Sequence, residues 1–105
     1  MLNFFLNQNV SLNTGNSLSA NPTSIYYLYG AGSGFTTITI TPNGTPLFYA
    51  SQTWIGYSYN STNKRLTITV EENFNEFGRL GFVDITHPLD SSITVRINIE
   101  QSGYN

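Results

Sequence analysis

Apolar and polar residues alternate along much of this chain. Ile93, Val95, Ile97 and Ile99 interleave with Thr94, Arg96, Asn98 and Glu100, a period of two. Leu66, Ile68 and Val70 alternate in the same way with Thr67 and Thr69, and Ile38 and Ile40 with Thr37, Thr39 and Thr41. β-Branched side chains dominate these runs, as a pleated, half-buried surface favours. No stretch carries a helical period. The pattern predicts strands over 8–12, 24–29, 35–41, 47–50, 54–59, 65–70, 79–86 and 92–101. Val95, Ile97, Ile68, Ile38, Val83 and Trp54 are expected inside, with Thr67, Thr94 and Arg96 outside.

The breaks between these runs have chemical causes. Pro42-Asn43-Gly44 combines a fixed φ with residues tolerant of positive φ. Gly30-Ala31-Gly32-Ser33-Gly34 reads as a flexible connection, and His87-Pro88-Leu89-Asp90-Ser91 as the turn of the last hairpin. Seven to eight short strands with turn signals every eight to twelve residues predict an all-β, immunoglobulin-like antiparallel β-sandwich. At 105 residues, 1–105 reads as a single domain, with 1–12 an N-terminal arm or an edge strand.

Composition narrows the classes of function. Charged residues make up 10% of the chain, well below the usual quarter, so Asn, Ser and Thr carry the polar surface. Lys64, Arg65, Arg79 and Arg96 are the whole basic complement, and the net charge is −2. Nucleic-acid binders cluster such residues against phosphates, and anionic membranes attract them, so neither is expected as a partner. With no Cys, disulfides, thiol catalysis and Cys-based zinc sites drop out. MLNFFLNQNV has no basic n-region, long apolar core or small-residue cleavage site. With Met1 as the native start, export by the general secretory route is not expected.

From TWIGYS at Trp54, through LTITVEEN ending at Asn73 and R-x-G-x-V-x-I from Arg79 to Ile85, to Gln101-x-Gly103, the chain resembles the BACON family. The Gly-rich turn before TTITIT extends the likeness to residues 24–103. The resemblance implies an immunoglobulin-like domain of gut Bacteroidetes systems. BACON domains accompany secreted carbohydrate-active enzymes, which implies binding of carbohydrate or mucin. Similar domains also occur in virion proteins of phages that infect these bacteria. A free-standing module without an export signal or catalytic partner fits the second setting better. The expectation is a non-catalytic phage virion protein that decorates the capsid, located on the virion surface and partnered by other capsid proteins. The alternative is a carbohydrate- or mucin-binding module on the cell surface or outside it, as part of a larger secreted protein.

The residues themselves offer little chemistry. Glu71 and Glu72 are adjacent at a strand end and so face opposite ways, and Glu76 lies in the following loop. They read as solvated carboxylates rather than an acid–base pair. His87 reads as a surface turn histidine, approachable by Asp84 and Asp90 but without a second metal ligand at suitable spacing. No catalytic residue, metal site or cofactor is expected. Asn73 is expected to close a turn with its amide, and Arg79 to pin that loop.

Two aromatic groups remain as binding candidates. Tyr27 and Tyr29 share one face of their strand, with Tyr26 and Leu28 on the other, and Tyr57 and Tyr59 share a face in a later strand. Aligned, Tyr27, Tyr29, Tyr57 and Tyr59 would make a platform for a glycan; otherwise they pack across strands. Phe74 and Phe77 lie in a loop, and Leu2, Phe4, Phe5 and Leu6 at the N-terminus, all outside the strand alternation. These six are the candidate protein contacts, with one of the two loop Phe expected to fold back as a plug.

Overall fold

A computed structural model describes residues 15–104. The expected strand at 8–12, the arm at 1–12 and the contact candidates Leu2, Phe4, Phe5 and Leu6 lie outside the described residues. Eight strands build two four-stranded sheets: β1 Ser17–Asn21, β2 Ser24–Tyr27, β3 Gly32–Thr41, β4 Leu47–Ala50, β5 Ile55–Asn60, β6 Arg65–Val70, β7 Arg79–His87 and β8 Asp90–Gln101. One sheet runs β1-β3-β6-β5 and the other β2-β8-β7-β4. All neighbours pair antiparallel except β2 and β8, which pair in parallel. That exception follows from the chain crossing between sheets at Pro22, where β2 arrives without a hairpin. The crossing is held by Thr36 Oγ1, which donates to the Pro22 carbonyl at 2.6 Å, and by the Asn98 N–H on the Thr23 carbonyl.

The core forms where the alternating runs meet. Ile38, Ile40, Leu66, Ile68 and Val70 from the first sheet pack against Val83, Ile85, Ile97 and Ile99 from the second, with Tyr27 and Ile55 among them. Val95 is only partly buried and joins the cluster at its rim. Trp54, expected in the core, is also half-buried: it closes one end of the sandwich, its outer face covered by the Arg79 guanidinium 4.1 Å from a ring centroid. Thr94 and Arg96 are exposed and Thr67 is half-buried.

Three departures from the sequence reading have physical reasons. β1 went unanticipated because SLSAN offers only Leu18 and Ala20 as apolar positions, enough for an edge strand and no more. The Gly-rich segment is strand rather than connection from Gly32 on. A Cβ at Gly34 would stand 3.2 Å from the Tyr27 hydroxyl, and one at Gly32 would stand 3.3 Å from the Tyr27 ring, so these glycines make room for that ring. His87, expected on the surface, is buried. It continues the inward series Val83, Ile85, His87 of β7, and its ring serves two backbone groups. Nδ1 accepts the Leu89 N–H at 3.1 Å, which leaves Nε2 to donate to the Thr41 carbonyl at 2.9 Å. Asp84 pairs instead with Arg96, and Asp90 accepts from the Ser92 hydroxyl and N–H, which hold its carboxyl below its ordinary pKa.

Burial raises the phenol pKa of Tyr27, an effect larger than the opposing influence of its backbone hydrogen bonding. The neutral hydroxyl donates to the Ile68 carbonyl at 2.6 Å. Because the folded pKa lies above the unfolded value near 10, this stabilisation is complete below about pH 10 and is lost as pH rises through the folded value. Thermal melts from pH 8 upward are expected to show a fall beginning above about pH 10. Tyr27→Phe is expected to cost about 1 kcal/mol at pH 8 and to flatten that fall. An unchanged alkaline slope in Tyr27→Phe would assign the loss to other groups.

Candidate functional site

Registry defines the ends of the sandwich. Gly32, Val70 and Ile55 lie side by side in one sheet, and Tyr27, Gln101 and Arg79 in the other, so 28–31, 51–54, 71–78 and 102–104 all gather at one end. This end carries Leu28, Tyr29, Phe74, Phe77 and Tyr104, all substantially exposed.

The loop holding Phe74 and Phe77 is fixed by hydrogen bonds from beneath. Asn73 is buried, and its amide donates to the carbonyls of Phe77 at 2.9 Å and Ser102 at 3.0 Å, while its Oδ1 accepts the Asn75 N–H at 3.1 Å. The Tyr104 N–H donates to the Asn75 carbonyl. Arg79 reaches the Glu71 carbonyl with Nη2 at 2.9 Å and Gln101 Oε1 with Nε at 2.8 Å. The Gln101 amide donates to the Glu71 carbonyl at 2.9 Å and lies 3.2–3.3 Å from the carbonyls of Leu28, Tyr29 and Gly30. A side chain at Gly103 would overlap the Glu76 carbonyl, so that loop and the C-terminal segment touch backbone to backbone. Gln101-x-Gly103 is thus the clasp of this end, and Asn73 and Arg79 hold the loop in the ways expected of them.

On this base Phe74 and Phe77 stand out into solvent, 78% and 76% exposed. Neither folds back as a plug. They border an open cleft of about 560 Å³ together with Asn75, Glu76, Gly78, Arg79 and Tyr104. Tyr29 leans edge-on against Tyr104, ring centroids 5.4 Å apart, which extends the aromatic surface.

The tyrosine platform is not assembled. Tyr27 is buried between the sheets, and Tyr29 sits at the loop end with Tyr104. Tyr57 and Tyr59 lie on β5, at the edge of the other sheet, where Phe48 of β4 packs against both at 5.5 and 5.3 Å. These three rings seal one side of the sandwich. Tyr27 reaches a different place because β2 belongs to the second sheet, and Tyr29 because the strand expected over 24–29 ends at Tyr27. The Tyr59 hydroxyl is buried with no hydrogen-bond partner among the described residues, and desolvation raises its pKa. Tyr59→Phe is therefore expected to stabilise the fold by about 1 kcal/mol in urea denaturation; a loss of stability would reveal a partner for the hydroxyl.

Glu71, Glu72 and Glu76 are all exposed. Among the described residues no three His, Asp or Glu side chains come together as metal ligands, and no helix is long and apolar enough to cross a membrane.

No protein-family model and no curated protein sequence matches the chain. Its fold is similar to part of a solved structure, a Bacteroides ovatus GH5 xyloglucanase in complex with a XXXG heptasaccharide, with a TM-score of 0.66 and 19% identity. The match covers 85% of this chain and 19% of that one, so the chain spans about a fifth of that enzyme. At this identity the likeness is one of fold.

Proposed function

We propose that this chain is a non-catalytic docking domain, BACON-like in character, that decorates a phage capsid from the virion surface and binds other capsid proteins through its loop end. The observation that carries the reading is the pair Phe74 and Phe77, held almost fully in water on a loop whose backbone is fixed from below. A soluble monomer gains nothing from two such rings, whereas a binding surface gains twice. Apolar area is available at about 25 cal/mol per Å², and little loop entropy is lost on contact because the loop is already ordered. A shell that presents many identical sites adds avidity to each weak contact.

The rival, a carbohydrate- or mucin-binding module, draws on the fold's likeness to part of a xyloglucan-degrading enzyme. It is weakened by the dispersal of Tyr27, Tyr29, Tyr57 and Tyr59, the residues that would have stacked on sugar rings. The two separate in one pair of measurements: co-sedimentation of the purified chain with assembled particles of the phage that encodes it, and binding of the isolated chain to a glycan array. Association with particles and silence on the array is the expected result. Glycan binding without particle association would overturn the capsid reading.

A further inference from the structure

The three strand segments that break the alternation share one sheet. Ile25-Tyr26-Tyr27, Leu47-Phe48-Tyr49-Ala50 and Leu80-Gly81-Phe82-Val83 are apolar in both phases, and they belong to β2, β4 and β7. Strands of this kind occur where a sheet is covered on both faces. Their inward residues reach the core; their outward ones face water, with Leu80 72%, Tyr49 62%, Leu47 59% and Tyr26 59% exposed. The outer face of the opposite sheet presents Ser17, Ser19, Thr37, Thr39, Thr41 and Thr69, and there the exposed ring of Phe35 is capped by the Arg65 guanidinium at 3.9 Å.

We infer that the outer face of the β2-β8-β7-β4 sheet is a self-association surface, covered by the same face of a second copy in an antiparallel, twofold arrangement. Three observations favour a second copy. First, the polar groups in the middle of the face are already paired within the chain. Arg96 bonds both oxygens of Asp84 at 2.8 and 3.1 Å and lies 3.5 Å over the Phe82 ring, and the hydroxyls of Thr86 and Thr94 meet at 3.2 Å. Such a face requires no opposite charge from its partner, so an identical face suffices.

Second, the apolar positions are complementary under a twofold axis. Along β7 and β4, Leu80 stands at one end of the face, Leu47 beside Thr86 at the other, and Phe82 and Tyr49 between them, 6.4 Å apart. Rotation about an axis near Phe82 and Asp84 sets Leu80 of each copy over Leu47 of the other. It also carries the two Glu100 side chains, each three residues from Ile97 at the level of the axis, roughly 20 Å apart at ~3.3 Å per residue, beyond the screening length of ~8 Å. Third, the strands of this sheet project roughly 500 Å² at ~3.3 Å per residue and ~4.8 Å per strand. Set against the ~800 Å² per partner of a standard interface, that is the size of a small, weak dimer contact.

This surface is separate from the Phe74–Phe77 loop and stands or falls independently of the capsid reading. The test is sedimentation equilibrium of the full chain. A dimer is expected by ~100 µM, with Tyr49→Ser combined with Leu80→Ser weakening it by ~30-fold or more. Both positions are exposed, so the variant should melt as the wild type does. Thr39→Asp, on the opposite sheet, should leave the dimer intact. A monomeric wild type at ~100 µM overturns the inference, as does a dimer that survives the double substitution or one abolished by Phe74→Ser instead.

Discussion

Gln101→Ala is expected to destabilise the fold by about 3–4 kcal/mol, as much as truncating a core isoleucine such as Ile97. The reason lies in how many backbone groups one buried side chain serves. Its amide donates to the Glu71 carbonyl, which it shares with Arg79 Nη2, and lies 3.2–3.3 Å from those of Leu28, Tyr29 and Gly30, while its Oε1 receives the Arg79 Nε. Alanine would leave the Arg79 Nε and the carbonyls of Leu28 and Gly30 without this partner, and each unmet group costs about 1–3 kcal/mol. Gln101→Glu sharpens the test. It keeps the shape and the acceptor for Arg79 but sets an oxygen against the carbonyls, so it should be at least as damaging as alanine. Glu100→Gln, one residue earlier on the exposed face, should stay within about 0.5 kcal/mol of wild type. Urea denaturation of the three variants decides the matter; a Gln101→Ala protein within about 1 kcal/mol of wild type would remove the clasp from the account.

What the sequence made legible follows from which forces act locally. TTITIT, RLTITV and ITVRINIE gave β3, β6 and β8 because one buried face imposes strict alternation. The turn closed by Asn73 was legible because its amide and Oδ1 reach Phe77 and Asn75, near neighbours, whereas its bond to Ser102 and that of Arg79 to Gln101 span more than twenty residues. The position of His87 was not, since its place was decided by the Thr41 carbonyl, 46 residues away in the chain. The tyrosines failed for the same reason: Tyr57 and Tyr59 share a face of β5 as expected, but Tyr29 lies beyond the end of β2, and strand faces meet only through sheet order. Even the continuous apolar runs at 25–27, 47–50 and 80–83 hold their meaning jointly. Taken singly each looks like an irregular strand; together in one sheet they describe a face.

Phe74→Ser with Phe77→Ser is expected to abolish association with particles while leaving the fold untouched, and this separation is what distinguishes an anchor from a structural plug. Each ring is more than three-quarters exposed, so its removal takes almost no apolar area from the core and stability should shift by no more than about 0.5 kcal/mol. At an interface the same two rings would act as aromatic anchors, each worth about 2 kcal/mol or more, so that losing both weakens each contact by roughly a thousandfold. The loop should keep its course in the variant, because Asn73, Gln101 and Arg79 hold its backbone rather than its side chains. Conversely, Asn73→Ala should loosen the loop and weaken association indirectly, at a visible loss of thermal stability. The measurements are thermal melts of both variants beside their co-sedimentation with particles. A serine variant that melts like the wild type and still sediments with particles would show that the loop end is not the contact, whereas one that melts much earlier would show that the rings support the fold after all.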